Sequence, residues 1–215
     1  MATKTAETFE LKPVAPHRSD PPGTVTKMPS PREMHHVHIF SDENYEAMVD
    51  FYQMIFNGEV VNVNGKEAPL TFISYDDHDH RVVVIKRPGW GTKPEQPIGV
   101  SHLAFAYSSL GELIYIYKTL KAAGYSPHWT VNHGNSTSFY YKDPDGNQVE
   151  TMMDNFAALD TKDYKRFYQF TEEFGAMAEG NFDPDKMVEQ YEAGVPDSIL
   201  LDREKVREMI RKGTL

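Results

Sequence analysis

Cysteine is absent from all 215 residues of the chain. Disulfides and thiolate metal sites are therefore excluded, and any metal centre has to be built from His, Asp, Glu or Tyr. Long apolar runs are also missing, and none approaches the ~18 residues that a membrane span needs. Positive charge is scarce: 22 Lys and Arg stand against 32 Asp and Glu, a formal net charge of -10. That balance argues against nucleic acid or an anionic membrane as a partner. The opening stretch from Met1 to Pro13 is polar and lacks the apolar core of a signal peptide, so a reducing cytoplasm is the expected location. What remains is ordinary for a water-soluble globular chain, with 40% hydrophobic and 25% charged residues.

The nine histidines become informative through their placement. His36 opens an apolar, strand-like run, and a helical pattern follows that stops at Gly58. His102 opens a second such run, and its helical pattern stops at Gly124. At this offset Val37 matches Leu103, Ile39 matches Phe105, Met48 matches Ile114 and Phe51 matches Tyr117. A fixed offset that preserves strand, helix and glycine stop is the mark of an internal duplication. Two histidines placed alike in two halves can meet at a pseudo-twofold axis, a suitable place for a metal.

The rest of the chain falls into place around these units. Residues 1–33 read as an arm, interrupted by Pro13, Pro16, Pro21, Pro22, Pro29 and Pro31. Residues 34–90 read as a β-α-β-β-β module. Its helix spans 42–57, capped by Ser41 and ended by a left-handed Gly58. A turn at Asn64-Gly65 separates two of its strands. After a Pro/Gly linker over 88–97, residues 98–155 repeat the pattern. Here Ser109 and Glu112 have capping-box spacing, and Leu113, Ile114, Tyr117 and Leu120 form the buried stripe. A tight turn at Asp143-Pro-Asp-Gly146 precedes the last strand, 148–152. Residues 156–215 form a helical extension, with helices over 161–179, 184–193 and 202–212 and a start at Asp183-Pro184. The fold class expected is α+β.

Glu150 is the third candidate after the two histidines. A glutamate within an apolar strand calls for solvent, an ion pair or a metal. Two imidazoles and one carboxylate, with the remaining positions open, make the facial triad of non-haem Fe(II) oxygenases. His35 and His38 are equally plausible from composition, and His38 shares a strand face with His36, close to such a site. On composition alone an ordinary structural role stays open for each of these residues.

Several segments together resemble the vicinal oxygen chelate superfamily, which groups glyoxalases, bleomycin resistance proteins and extradiol dioxygenases. They are His36-Val-His-Ile with Met48-Val-Asp-Phe-Tyr52, Phe72-Ile-Ser-Tyr-Asp76 with His80-Arg-Val, and Ser101-His-Leu-Ala-Phe105. The most specific is Asn132-His-Gly-Asn135 leading through Ser138-Phe-Tyr140 and Asp143-Pro-Asp-Gly146 to Glu150. A histidine ahead of Ser-Phe-Tyr, with that tyrosine ten residues before the glutamate, is similar to the type I extradiol ring-cleavage dioxygenases acting on biphenyl-2,3-diol. The resemblance covers roughly residues 34–193, and the arm has no counterpart in it.

The resemblance implies paired βαβββ modules forming an open mixed barrel around a metal site, with the helical extension added. It implies Fe(II), with Mn(II) also compatible, held by His36, His102 and Glu150. It makes His80 the acid and base. His133, Tyr140 and, through a segment two residues shorter than in larger relatives, Asn135 would hydrogen-bond the substrate. The implied partners are an aromatic diol and dioxygen, and the arm and tail suggest a homo-oligomer. Three rival readings stand beside ring cleavage of a catechol: a hydroquinone-cleaving dioxygenase, a glyoxalase-like metal lyase or isomerase, and a metal-free protein that sequesters an aromatic ligand.

Overall fold

A computed structural model describes residues 26–31, 33–91, 94, 98–156 and 180–215. The chain separates into two units, Met1–His35 and His36–Leu215; all that follows concerns the second. The expected helix over 161–179 and parts of the 88–97 linker lie outside the described residues, as does most of the arm.

The two modules are built alike. In the first, β1 (Val37–Ser41), α1 (Tyr45–Phe56), β2 (Glu59–Asn64), β3 (Leu70–Ser74) and β4 (Val82–Lys86) give a sheet of order β1-β4-β3-β2. In the second, β5 (His102–Ala106), α2 (Leu110–Ala122), β6 (Trp129–Asn132), β7 (Ser136–Lys142) and β8 (Gln148–Asp154) give the order β5-β8-β7-β6. The first and last strands of each module run parallel, and the other pairs are antiparallel. Among the described residues these are two separate four-stranded mixed sheets, joined by no strand pairing into a closed barrel. No helix among the described residues is long and apolar enough to cross a membrane.

The periodicity read from the sequence is what buries the helices. Tyr45, Met48, Phe51, Tyr52, Ile55 and Phe56 of α1 are buried, as are Leu110, Leu113, Ile114, Tyr117 and Leu120 of α2. Both sets belong to one continuous core with Ile73, Val82 and Val84 of the first sheet and Phe139, Tyr141 and Val149 of the second. Each large side chain so buried contributes about 1.5–3 kcal/mol relative to exposure. Along β1 and β5 the alternation of a half-buried strand is clear: Val37, Ile39 and Phe105 pack on the core, while His38, Phe40, His102 and Ala104 are exposed on the other face.

The modules are also pinned to each other by polar contacts. Tyr52 Oη donates to Asp143 Oδ2 at 2.9 Å in buried surroundings, and Tyr107 Oη donates to the Ile55 carbonyl at 3.0 Å. Asn44 Nδ2 reaches Asp145 Oδ1 at 2.8 Å.

Two helix ends depart from expectation. The N-cap of α1 is Asn44, not Ser41, and its side chain makes no capping bond because it is engaged with the Pro144 carbonyl and Asp145. The left-handed residue after α1 is Asn57, at φ 50, not Gly58. Gly58 answers a different need: a Cβ there would lie 2.8 Å from Ile73 Cγ2. At α2 the cap is Ser109, whose side chain accepts from Glu112 N–H at 3.2 Å. The Glu112 carboxylate returns to the Ser108 N–H at 2.7 Å.

The C-terminal extension contributes α3 (Pro184–Glu192), the short α4 (Asp197–Leu200) and α5 (Arg203–Arg211). Asp183 caps α3, with Pro184 in its first turn. The extension lies on the second module. Asn132 N–H donates to the Gly180 carbonyl at 2.9 Å, Tyr117 Oη donates to Asp185 Oδ1 at 2.6 Å, and Met187, Leu200, Val206 and Leu215 enter the common core.

Candidate metal and substrate site

Register sets the site on the second sheet. Trp129 pairs with Tyr140 across β6 and β7, Tyr140 with Glu150 across β7 and β8, and Glu150 with Ala104 across β8 and β5. Directly paired residues share a face. Trp129, Tyr140, Glu150 and Ala104 therefore form one row across all four strands, and His102 lies two residues from Ala104 on the same face.

The contacts follow from that row. His102 Nε2 and Glu150 Oε2 are 3.1 Å apart, with the glutamate side chain only 7% exposed. Tyr140 Oη lies 3.1 Å from His133 Nε2, and Tyr140 pairs with Glu150 across β7 and β8. Burial first, and then the Glu150 carboxylate, push the Tyr140 phenol well above its ordinary pKa. The Trp129 ring stacks on Tyr140 with centroids 4.4 Å apart and planes 19° apart. The indole is held from behind, its Nε1–H donating to Asn181 Oδ1 of the extension at 2.9 Å. His133 sits in the β6–β7 hairpin, where its N–H donates to the Ser136 carbonyl at 2.8 Å. Asn135 follows in the same hairpin and is buried, with its Nδ2 3.4 Å from Ser136 Oγ.

The first sheet carries a different cluster. His36, His38 and His80 bring one ring nitrogen each within 4.8 Å of one another, and the His36 ring centroid is 4.9 Å from that of His38 and 4.6 Å from that of His80. His80 stands in the loop just before β4 and not on the strand itself. Its side chain is 13% exposed, and its Nδ1 is 2.6 Å from Asp79 Oδ2. His78 in the same loop is 30% exposed and lies beside Asp76. His38 is the member that composition left undistinguished; its signal was the i, i+2 spacing from His36 along a strand.

The seven candidates thus fall into two groups, with Asn135 in the hairpin of the second sheet. His102, Glu150, His133 and Tyr140 are brought together on one sheet, and His36 and His80 on the other. Among the described residues, the donor atoms of His36, His102 and Glu150 do not all come within 4.8 Å of one another. A cavity of about 720 Å³ opens between β1 and β5, lined among others by His38, Phe40, Arg87, Trp90, His102 and Gln148. His36, His80, Glu150 and Tyr140 are not in its walls.

The residues of the second sheet fit a divalent cation. Ligand atoms about 2.1 Å from a metal and at right angles lie about 3 Å apart, and the His102 and Glu150 atoms have that separation. One neutral imidazole and one carboxylate suit Fe(II), Mn(II) and related ions.

Comparison with known proteins agrees with this architecture. The model of the Glyoxalase/Bleomycin resistance protein/Dioxygenase superfamily matches residues 25–151. Biphenyl-2,3-diol 1,2-dioxygenase 3 of Rhodococcus globerulus is 37% identical over 177 residues, 81% of this chain and 89% of the relative. Biphenyl-2,3-diol 1,2-dioxygenase 2 of the same organism is 35% identical over 161 residues, 74% of this chain and 81% of the relative. Among solved structures, a glyoxylase/bleomycin resistance protein/dioxygenase domain from Frankia sp. EAN1pec superposes with a TM-score of 0.51 at 18% identity, covering 58% of this chain and 99% of that one. With its duplicated β-α-β-β-β modules and this match over more than half its length, the chain belongs to the Glyoxalase/Bleomycin resistance protein/Dioxygenase superfamily.

Proposed function

We propose that the chain is a non-haem Fe(II)-dependent extradiol dioxygenase. Its substrate is a catechol-type diol, and its product a ring-opened semialdehyde acid. The observation that carries this reading is the row on the second sheet, where a His–Glu pair adjoins a protonated tyrosine flanked by His133 and Trp129. A lyase or isomerase of the same fold has no need of that tyrosine and histidine beside its ligands.

His102 and Glu150 would hold the metal from the second module, with His36 as the ligand proposed from the first; Mn(II) would suit the same donors. When bound, the metal acidifies a diol hydroxyl and couples the diol electronically to dioxygen. Everything else is the work of side chains. His80 takes the proton of the diol and later returns it. The Asp79 carboxylate at its Nδ1 fixes the tautomer that leaves Nε2 as the base. Tyr140 keeps its proton, because both burial and Glu150 oppose ionisation, so it acts as a hydrogen-bond donor to an oxygen of the substrate. His133 orients that hydroxyl from the other side, and Asn135 supports the hairpin that carries His133. Trp129 covers Tyr140 and excludes water from it. The overall step balances without a further reductant: one ring C–C bond beside the diol breaks, and both atoms of one dioxygen enter the product.

The test is anaerobic reconstitution with Fe(II), followed by mixing with a panel of catechols and a hydroquinone in an oxygen electrode. Oxygen uptake in step with a yellow product on a catechol is the expected result. Tight metal binding without oxygen uptake on any catechol overturns the proposal.

A further inference from the structure

Three imidazoles meet on the first sheet for a reason of register. His36 and His38 stand two residues apart at the head of β1 and so share a face. β1 runs parallel to β4, with Val37 paired to Val82 and His38 to Val83, which brings the loop before β4 to the same end of the sheet. Arg81, next to His80, is held on both sides: the Val37 N–H donates to its carbonyl at 3.0 Å, and its own N–H donates to the Ile73 carbonyl at 2.8 Å. His80 is thereby fixed beside His36, with its ring 5.3 Å from that of Phe72 and only 13% of its side chain exposed. One ring nitrogen of each histidine lies within 4.8 Å of the other two, and among the described residues no other three His, Asp or Glu side chains converge in this way.

The fold itself makes no demand for these imidazoles. The second module has the same register, with Leu103 paired to Val149 and Ala104 to Glu150. Counted from these pairs, Ala104 stands where His38 does and Asn147 where His80 does. Only His36 has a histidine for a counterpart, His102. The two additional imidazoles belong to the first module alone.

The donor set decides which ion fits. Three neutral imidazoles bring no charge to favour a hard ion. Imidazole suits Zn(II), Cu(II) and Ni(II), which a nitrogen site binds more tightly than Fe(II). Zn(II) takes three histidines and a fourth open position in tetrahedral geometry, with Zn–N about 2.0–2.1 Å, so its nitrogen ligands lie about 3.4 Å apart. Reaching that spacing asks for side-chain rotation at His36 and His38, which are exposed. The Asp79 carboxylate, 2.6 Å from His80 Nδ1, leaves Nε2 to ligate and makes it a stronger donor, the usual support of a metal-bound histidine. The second sheet offers a different balance, one imidazole and one carboxylate 3.1 Å apart.

We infer that His36, His38 and His80 form a second metal site, selective for Zn(II) over Fe(II), and that its occupation switches the Fe(II) centre off. The site stands on the geometry above. The switch rests on the proposed function, in which His36 is an iron ligand and His80 the acid and base; an ion held by the cluster takes both from the reaction at once. His38 distinguishes the two sites, since it serves the zinc site and has no part in ring cleavage.

Zn(II) binding to the metal-free protein tests this without turnover. Calorimetric titrations of the wild type, His38→Val and His102→Ala are read beside the visible spectrum of Co(II), which is intense in a tetrahedral site and weak in a six-coordinate one. The wild type and His102→Ala should bind one Zn(II) with the same affinity and give the tetrahedral Co(II) spectrum. His38→Val should bind Zn(II) at least about 10²-fold more weakly, since loss of an outer partner alone costs about 10–100-fold. Valine suits an exposed strand position, so this variant should keep its Fe(II) and its oxygen uptake and resist Zn(II) at concentrations that inhibit the wild type. Wild-type Zn(II) affinity in His38→Val, or an affinity that falls in His102→Ala instead, overturns the site. Equal inhibition of the wild type and His38→Val by Zn(II) overturns the switch. Fe(II) retained by His102→Ala overturns the iron ligand assignment and the switch built on it, and leaves the zinc site standing.

Discussion

Tyr140 and Glu150 face each other across β7 and β8 as a direct antiparallel pair. The phenol is held in its protonated form by burial and by the carboxylate beside it. A tyrosine so placed donates a hydrogen bond throughout the neutral range and does not serve as a base. Tyr140→Phe removes the donor and leaves His102 and Glu150 in place. The variant should retain Fe(II) and lose about 10²-fold in turnover, the scale of one positioned proton-donating group. Metal analysis and oxygen uptake on the same sample check both parts.

His80 separates metal binding from proton transfer. It lies against Phe72, with ring centroids 5.3 Å apart, so a phenylalanine fits its surroundings. His80→Phe should keep the metal and lose most turnover, again about 10²-fold or more, whereas His102→Ala should lose the metal itself. Normal turnover in His80→Phe removes this residue from the mechanism.

The Tyr52–Asp143 bond couples stability to pH. Burial raises the Asp143 carboxyl above its ordinary pKa, while hydrogen bonds from Asn147 and Tyr52 oppose the rise. An acid with a raised pKa holds more protons in the folded than in the unfolded chain between the two values. Its contribution therefore favours folding at low pH and diminishes as pH rises through the folded pKa. Tyr52→Phe deletes a donor that favours the ionised form. The folded pKa moves further up, and the loss of stability, about 1–3 kcal/mol, should be larger in mildly alkaline than in mildly acidic buffer. Denaturant titrations of both proteins across pH measure this; an equal loss at every pH contradicts it.

Gly58 bears on packing and not on backbone freedom. A methyl group there meets Ile73 Cγ2 at 2.8 Å and the Ser74 carbonyl at 3.2 Å, and Ile73 is fully buried. Gly58→Ala should destabilise the fold by about 1–3 kcal/mol, seen as a lower midpoint of thermal unfolding with the Fe(II) affinity of the folded protein unchanged.

Much of this was legible in the residues, for reasons that can be named. The offset matching Met48 with Ile114 and Phe51 with Tyr117 survives because all four are buried on helices of the same core. The Ser109–Glu112 spacing and the Asp183-Pro184 start act locally and are found as read. Gly58 misled because a glycine after a helix signals either a left-handed turn or a close approach, and only the position of Ile73 decides. Ser41 misled because Asn44 is recruited by the β7–β8 turn of the other module, a long-range contact with no local trace. The Trp129–Tyr140–Glu150 row needs the register of two strand pairs, and pattern alone does not fix register. The separation of His36 from Glu150 depends on how two modules pack, which no strand or helix signal encodes.

The most direct measurement is the fate of isotopically labelled dioxygen. Fe(II)-reconstituted protein is given 2,3-dihydroxybiphenyl under ¹⁸O₂, and the product is examined by mass spectrometry. The account predicts a ring-opened acid carrying both labelled atoms. Recovery of unchanged diol, or of an oxidised quinone without label, contradicts it.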